Sequence, residues 1–449
     1  MEKSEVIAVI VPLPSQSHLN QLLQLSSVIS SYTLPVHYLG SATHNRQAKL
    51  RAHGLNPKIN FHDLPTPPIE SPNPNPNTLD KIPSHLSPAI VAYMNLRHPI
   101  TTLLQELSTK ARRVVIIHDR LMAEAVEDAV LIPNVECYAY NCLSAFNLFY
   151  ILWESLGKPI DVGEEINKLP SVKEFFPEEV LEFIVSKPEN FKRRAGDIHN
   201  TSRLIEGNYI ELLEREEING NIKQWAITPT MKLNNTKTGH KCLDWLNKQD
   251  PRSVIYVSFG TSISISDEEA KEFAMGLELS KKKFVWVVRD ADKTNIFDGE
   301  DRRIELPEGF EERVRDYGLV VRDWAPQIEI LAHESIGGFM SHCGWNSCLE
   351  SITMGVPIAA LPMHSDQPLN ALFLTEVLKI GVIVREWGER NEVVKASKIK
   401  NVVERLMGCE EGDEMRKRAK ELSVEIKKSM EEGGEFCREL DAFIAHITR

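Results

Sequence analysis

No run of apolar residues in this 449-residue chain reaches the ~18 that a membrane-spanning helix needs, so no membrane span is expected. Clusters of lysine and arginine dense enough to follow a phosphate backbone are missing too. With 52 basic against 64 acidic residues the formal charge is −12, which argues against a nucleic-acid partner. The opening Met1-Glu2-Lys3-Ser4-Glu5 lacks a basic leader and runs into only a short apolar stretch, so it does not read as a signal peptide. The seven cysteines contain no C-x-x-C pair, and a chain this long needs no disulfide staples. Free thiols in the cytosol are the expectation, with the sequons at Asn200 and Asn234 unglycosylated. Several catalytic signatures are also missing: there is no G-x-G-x-x-G after the first strand, no Walker loop, no H-E-x-x-H and no G-x-S-x-G elbow. Adjacent His342 and Cys343, with Cys348 further on, miss the spacing of zinc ligands, and no metal is expected.

What is present fits a soluble globular protein of two domains: 42% hydrophobic residues, 26% charged, and about three times the common domain length of roughly 150 residues. Val6 to Val11 is a short, continuous, β-branched apolar run, the pattern of a strand buried on both faces of a parallel sheet. The stretch His18 to Ile29 then spaces its leucines as a helix does. Further strands are expected at Val36–Leu39, Val114–Ile117, Val254–Val257, Phe284–Val288 and Val356–Leu361, mostly separated by helical stretches, which argues for α/β architecture. Thr66 to Thr78, with five prolines, should be an exposed loop. The polar, turn-rich stretch Thr228 to Lys241 carries the domain boundary, giving domains 1–235 and 236–449. Charged helices over Ala396–Met407 and Glu414–Met430 end the chain, and Gly433-Gly434 breaks the second before a last helical stretch that could pack back on the first domain.

The densest signal lies between Trp324 and Gln367. Gly337 to Ser341 reads as a strand, and His342-Cys343-Gly344-Trp345-Asn346-Ser347 as a tight loop opening a helix. Free N–H groups there, close approach at Gly344, and the side chains of His342, Asn346 and Ser347 would suit a diphosphate. Equally, Ser347 and Glu350 make an S-x-x-E capping box, which starts many helices without any ligand.

Over its whole length this segment resembles the signature box of plant family-1 UDP-sugar glycosyltransferases, from W-A-P-Q through H-C-G-W-N-S to the closing D-Q. Val257 to Thr261, Ile117-His118-Asp119, Asn200-Thr201 with Glu206 and Tyr209, and His18 extend the resemblance along the chain. It implies two Rossmann-like α/β domains facing across a cleft (the GT-B type), with the acceptor on the N-terminal side and UDP-glucose on the other. By the same resemblance Trp324 stacks on uracil, Ala325 binds its edge through the backbone, and Gln327 and Glu350 hold the ribose. His342, Gly344, Asn346, Ser347 and Thr261 take the diphosphate, while Trp345, Asp366 and Gln367 face the sugar hydroxyls. His18 and Asp119 form the catalytic pair: an imidazole takes the acceptor proton, and a carboxylate fixes its tautomer and stabilises the imidazolium. Direct displacement then inverts the donor linkage to a β-glycoside.

Two positions depart from the wider family, which commonly has Gly-His with Pro three residues later; Ser17 and Gln21 stand there instead. Gln21 is, however, expected in the zeatin O-glucosyltransferase group, which the chain resembles around Pro12–Leu23, Ala42–Gln47 and Met122–Asp128. The expected reaction is glucosylation of a small hydroxylated plant metabolite such as the cytokinin zeatin, by a cytosolic monomer. Alternatives are a flavonoid, terpenoid or existing glycoside as acceptor, UDP-xylose as donor, C-glycosylation, a UDP-sugar isomerase, or a non-catalytic UDP-sugar or hormone binder. Phe146, Phe149, Tyr150 and Trp153 read equally as an aromatic wall for the acceptor or as plain helix core.

Overall fold

The computed structural model describes residues 4–51, 58–69, 72–78, 83–167, 169–176, 178–185, 187, 189–228, 239–297 and 302–449. Its frame is two sheets in which every strand pairing is parallel. The first contains β1 (Ser4–Val11), β2 (Val36–Gly40), β3 (Ile59–Asp63), β4 (Ala111–Asp119), β5 (Val135–Asn141), β6 (Gly196–His199) and β7 (Gln224–Ala226), in the order β3-β2-β1-β4-β5-β6-β7. The second contains β8 (Val254–Ser258), β9 (Lys283–Val287), β10 (Gly318–Val321), β11 (Ile336–Ser341), β12 (Ile358–Ala360) and β13 (Gly381–Ile383), in the order β10-β9-β8-β11-β12-β13. Each is therefore the doubly wound order of a Rossmann-like domain, whose strand order reverses beside its first strand. The α/β, two-domain expectation holds.

The continuous apolar runs arise because both faces of these strands are covered. In β1, Val6, Ala8 and Ile10 enter one core while Ile7, Val9 and Val11 enter another. Likewise Val254 and Tyr256 of β8 pack on one side, and Ile255 and Val257 on the other. Several strands that the sequence pattern did not single out, among them β6 and β7, have buried polar residues interrupting their apolar pattern. Asp197 is bridged by Arg194 Nη2 at 2.9 Å, and His199 Nε2 meets Gln224 Oε1 at 2.6 Å.

The helix after β1, α1 (Gln16–Ser31), starts two residues before the expected position, so His18 stands in its first turn and not in a loop. The described part of Thr66 to Thr78 has neither helix nor strand, and the boundary placed between 235 and 236 lies outside the described residues. The helices Ala396–Gly408, Glu410–Ser429 and Glu435–Thr448 close the chain, with Gly433 at φ +75° between the last two. That left-handed turn redirects the last helix onto the first sheet. Phe436, Leu440, Phe443, Ile444 and Ile447 enter the core beneath β1, and Glu439 accepts from Ala226 N at 3.1 Å.

Phe443 is fully buried edge-on to Tyr138 of β5 and Trp225 of β7, at 5.6 and 5.4 Å between ring centroids. Truncating a buried aromatic of this kind costs about 3–5 kcal/mol. Phe443→Ala should therefore destabilise the N-terminal domain by that amount in denaturant unfolding, although it lies in the last fifteen residues of the chain.

Candidate active site

Doubly wound sheets bind ligands beyond the carboxyl ends of the strands flanking the point where strand order reverses. In the first sheet those strands are β1 and β4, which lead into His18 and end in Asp119. In the second they are β8 and β11, which lead into Gly260-Thr261 and His342-Cys343-Gly344.

His18 Nδ1 meets Asp119 Oδ2 at 2.6 Å, with the side chains 18% and 2% exposed. Asp119 is held in turn by Leu121 N–H at Oδ1 (2.9 Å) and by the Cys142 thiol at Oδ2 (3.2 Å). Burial disfavours the imidazolium of His18, but the charge and hydrogen bond of Asp119, with a contribution from Asp366, outweigh it and raise its pKa above 6.5. Burial likewise works to raise Asp119, and His18, Leu121 and Cys142 overcome it, holding the carboxyl below its usual range. With Nδ1 so occupied, Nε2 is the ring nitrogen left for proton transfer. The ligand atoms of His18, Asp119 and Cys142 lie within 4.8 Å of one another, a spacing that their mutual hydrogen bonds account for.

Across the cleft, the helix Trp345–Met354 begins at Gly344 without a side-chain cap and without an acidic residue in its first turn. The capping-box alternative is therefore wrong here. Glu350 Oε2 instead accepts from Gln327 Nε2 at 2.6 Å, and the same amide reaches Ser347 Oγ at 3.1 Å. Burial pushes the Glu350 carboxyl up to about 7. The imidazole of His342 is clamped between two glycines: a Cβ on Gly260 (φ +77°) would sit 2.6 Å from its Cε1 and Nε2, and one on Gly344 would sit 2.5 Å from Nε2. Burial drops its pKa to about 4, so it is a neutral hydrogen-bonding group. Between them Cys343 takes φ +64°, an uncommon conformation away from glycine, and its carbonyl accepts from Asn370 Nδ2 at 2.9 Å.

The remaining expected site residues fall into two groups. Trp324 is half exposed, Ala325 is buried behind it, and Thr261 fixes its loop by accepting from Asp292 N at 2.8 Å. Asn346 contacts the first domain through Ser17 O (3.3 Å) and Asn200 Nδ2 (3.4 Å). Asp366 accepts from Asn370 Nδ2 at 2.8 Å, and burial raises its pKa. Trp345 and Gln367 also bond within the protein. Trp345 is buried, with its indole N–H given to Asn200 O at 2.8 Å. Gln367 is buried too; its Oε1 accepts from Met363 N (2.8 Å) and His364 N (3.1 Å), which closes its own turn. Phe146, Phe149, Tyr150 and Trp153 are core: all are buried, and Phe146 stacks on Phe373 at 5.4 Å.

Sequence reasoning missed Cys142 and the role of Gln21, whose amide bonds the Cys142 carbonyl at 3.2 Å. Cys142 is brought to Asp119 only by the register of β4 on β5, which pairs Asp119 with Tyr140, two residues earlier.

Residues 4–232 match the profile of the glycosyltransferase N-terminal domain, and residues 230–406 that of the UDP-glucoronosyl and UDP-glucosyl transferase family. The chain is 52% identical to a zeatin O-xylosyltransferase of Phaseolus vulgaris over 100% of its own length and 99% of the relative's. It is also 52% identical to a zeatin O-glucosyltransferase of Phaseolus lunatus, over 100% and 98%. Phytolacca americana UGT2, solved with UDP-2-fluoro-glucose and pterostilbene, superposes at a TM-score of 0.79 over 99% of this chain and 100% of that one, at 26% identity.

Because burial raises Glu350 and its bond from Gln327 opposes that rise, Glu350 should titrate near 7, and Gln327→Leu should move it higher still. A carboxyl infrared titration, differenced against Glu350→Gln, checks both.

Proposed function

The chain belongs to the family of UDP-sugar-dependent glycosyltransferases, and we propose that it transfers glucose from UDP-glucose to the side-chain hydroxyl of zeatin, giving the β-O-glucoside. Two relatives at 52% identity over the full length, both named for zeatin O-glycosyl transfer, carry the acceptor. The His18–Asp119 pair opposite an uncapped helix start supports the mechanism.

In this reading His18 Nε2 takes the proton of the acceptor hydroxyl as its oxygen attacks the anomeric carbon, and Asp119 steadies the imidazolium that forms. The bond from that carbon to the diphosphate breaks on the opposite face, so the configuration inverts. UDP leaves with its charge on the N–H groups at the start of Trp345–Met354, with His342, Asn346, Ser347 and Thr261 around it. Trp324 offers an exposed ring for the uracil and Ala325 its backbone, while Glu350 and Gln327 form a hydrogen-bonded pair suited to the ribose diol. The sugar hydroxyls fall to Trp345, Asp366 and Gln367. The first sheet thus serves the acceptor and the second the donor, in a cytosolic monomer that needs no metal ion; the free thiols support the compartment. UDP-xylose is the second donor to consider, since one of those two relatives is named as a xylosyltransferase.

Incubating the purified protein with UDP-glucose or UDP-xylose and trans-zeatin, cis-zeatin or a flavonol tests the acceptor. An acid-labile β-O-glucoside of trans-zeatin is expected; no glycoside of either zeatin would sink this acceptor assignment. The raised pKa of His18 sets the pH dependence. The free base is lost as pH falls, so kcat/KM should drop on the acid side with a midpoint above 6.5. Asp119→Asn removes the main raising influence and should move that midpoint down, and His18→Ala should abolish the limb and lower kcat by about 100-fold or more.

A further inference from the structure

Gln21, one of the two departures from the wider family, and Cys142, a thiol with no evident sequence signal, meet at the active site. Cys142 stands just after β5, buried, with its sulfur 3.2 Å from the Asp119 oxygen that also receives His18 Nδ1. Burial and then the Asp119 charge push the thiol well above its usual range, so it stays an S–H donor and is not a rival nucleophile. The carbonyl of the same residue accepts from Gln21 Nε2 at 3.2 Å. Gln21 lies three residues after His18 in α1, on the same helix face, and is buried as well. A proline at this position would have no amide with which to make the bond.

We propose that Gln21 and Cys142 are positioning residues for the pair: Gln21 fixes the end of β5 against the helix that carries His18, and the Cys142 thiol holds the Asp119 carboxylate turned toward the imidazole. The bonds form one circuit, from His18 along α1 to Gln21, across to Cys142, through sulfur to Asp119 and back to His18 Nδ1. Among the described residues His18 and Cys142 are the side chains that donate to Asp119. Removing the thiol leaves the carboxylate to the imidazole and the Leu121 N–H, which strengthens its pull on the imidazolium. Other groups that act on the pair are Asp366, which raises His18; Lys187, whose charge reaches Asp119; and the phenols of Tyr38 and Tyr140, which burial pushes well above 10 so that they stay neutral.

The proposal rests on the His18–Asp119 reading, and the test separates the two. The pH dependence of kcat/KM is measured with UDP-glucose and the acceptor that the protein glycosylates, for Cys142→Ala, Cys142→Ser, Gln21→Leu and His18→Ala, with UDP binding by calorimetry reporting a folded cleft. Cys142→Ala should move the acid limb upward by about half a pH unit, the size expected for one neutral hydrogen bond. Cys142→Ser, which restores a donor, should return it. Gln21→Leu should shift the limb in the same direction and lower kcat several-fold, with the KM for UDP-glucose unchanged. If Cys142→Ala and Cys142→Ser give the same profile, or Gln21→Leu behaves as the unaltered chain, the positioning role is overturned. A limb lost in His18→Ala but unmoved in Cys142→Ala overturns this proposal alone, whereas a limb that survives His18→Ala overturns the pair and this proposal together.

Discussion

Two helix starts meet across the cleft, and the catalytic arrangement depends on that meeting. The first turn of Trp345–Met354 touches the first turn of α1 where Asn346 Nδ2 donates to Ser17 O, the carbonyl just before His18. The Trp345 indole and the Asn346 amide both engage Asn200, at the end of β6. Neither helix has an acidic residue in its own first turn or a side-chain cap, so each brings partial positive charge to this contact. The Asp119 carboxylate, bonded to His18 in the first turn of α1, offsets one of these charges. The same contact sets where His18 stands relative to the start of Trp345–Met354.

The sequence revealed the frame for a physical reason. Strands buried on both faces are apolar, and of the four strands flanking the two reversal points β1, β4 and β8 were visible as short apolar runs, and β11 as the strand Gly337 to Ser341 before a tight loop. Since the site lies at those four ends, its place was legible once the strands were. Strands such as β6 and β7 were not, because Asp197, His199 and Gln224 interrupt the apolar pattern, the first paired with Arg194 and the other two with each other. The circuit through Gln21 and Cys142 was equally hidden, as residues 121 apart in sequence share no periodicity.

The misreadings share a cause. Ser347 and Glu350 have the spacing of a local cap, but the carboxylate finds a better-placed donor in Gln327, and Gly344 starts the helix three residues before Ser347. Trp345 and Gln367, which the resemblance assigned to the sugar, also bond within the protein, one across the two domains and the other closing a turn. In each case the local pattern was real and a long-range or backbone partner took the group. Phe146 and its neighbours follow the same logic in apolar form, since Phe373 and Tyr209 pack against the Phe146 ring.

Three carboxyl groups share this cleft, and similar burial drives them to opposite ends. Glu350 is pushed up to about 7 and Asp366 upward, each with one side-chain amide as its donor, whereas Asp119, with an imidazole, a thiol and a backbone N–H, is held down. The number and charge of the donors, more than depth, decide which carboxyl keeps its charge. The consequence reaches the donor substrate. An acidic chain with three cleft carboxyls would repel a diphosphate if all were ionised, and it has no basic patch to compensate. Burial works against the charge of Glu350 and Asp366, whereas Asp119 is held down and its charge is paired with the imidazole of His18.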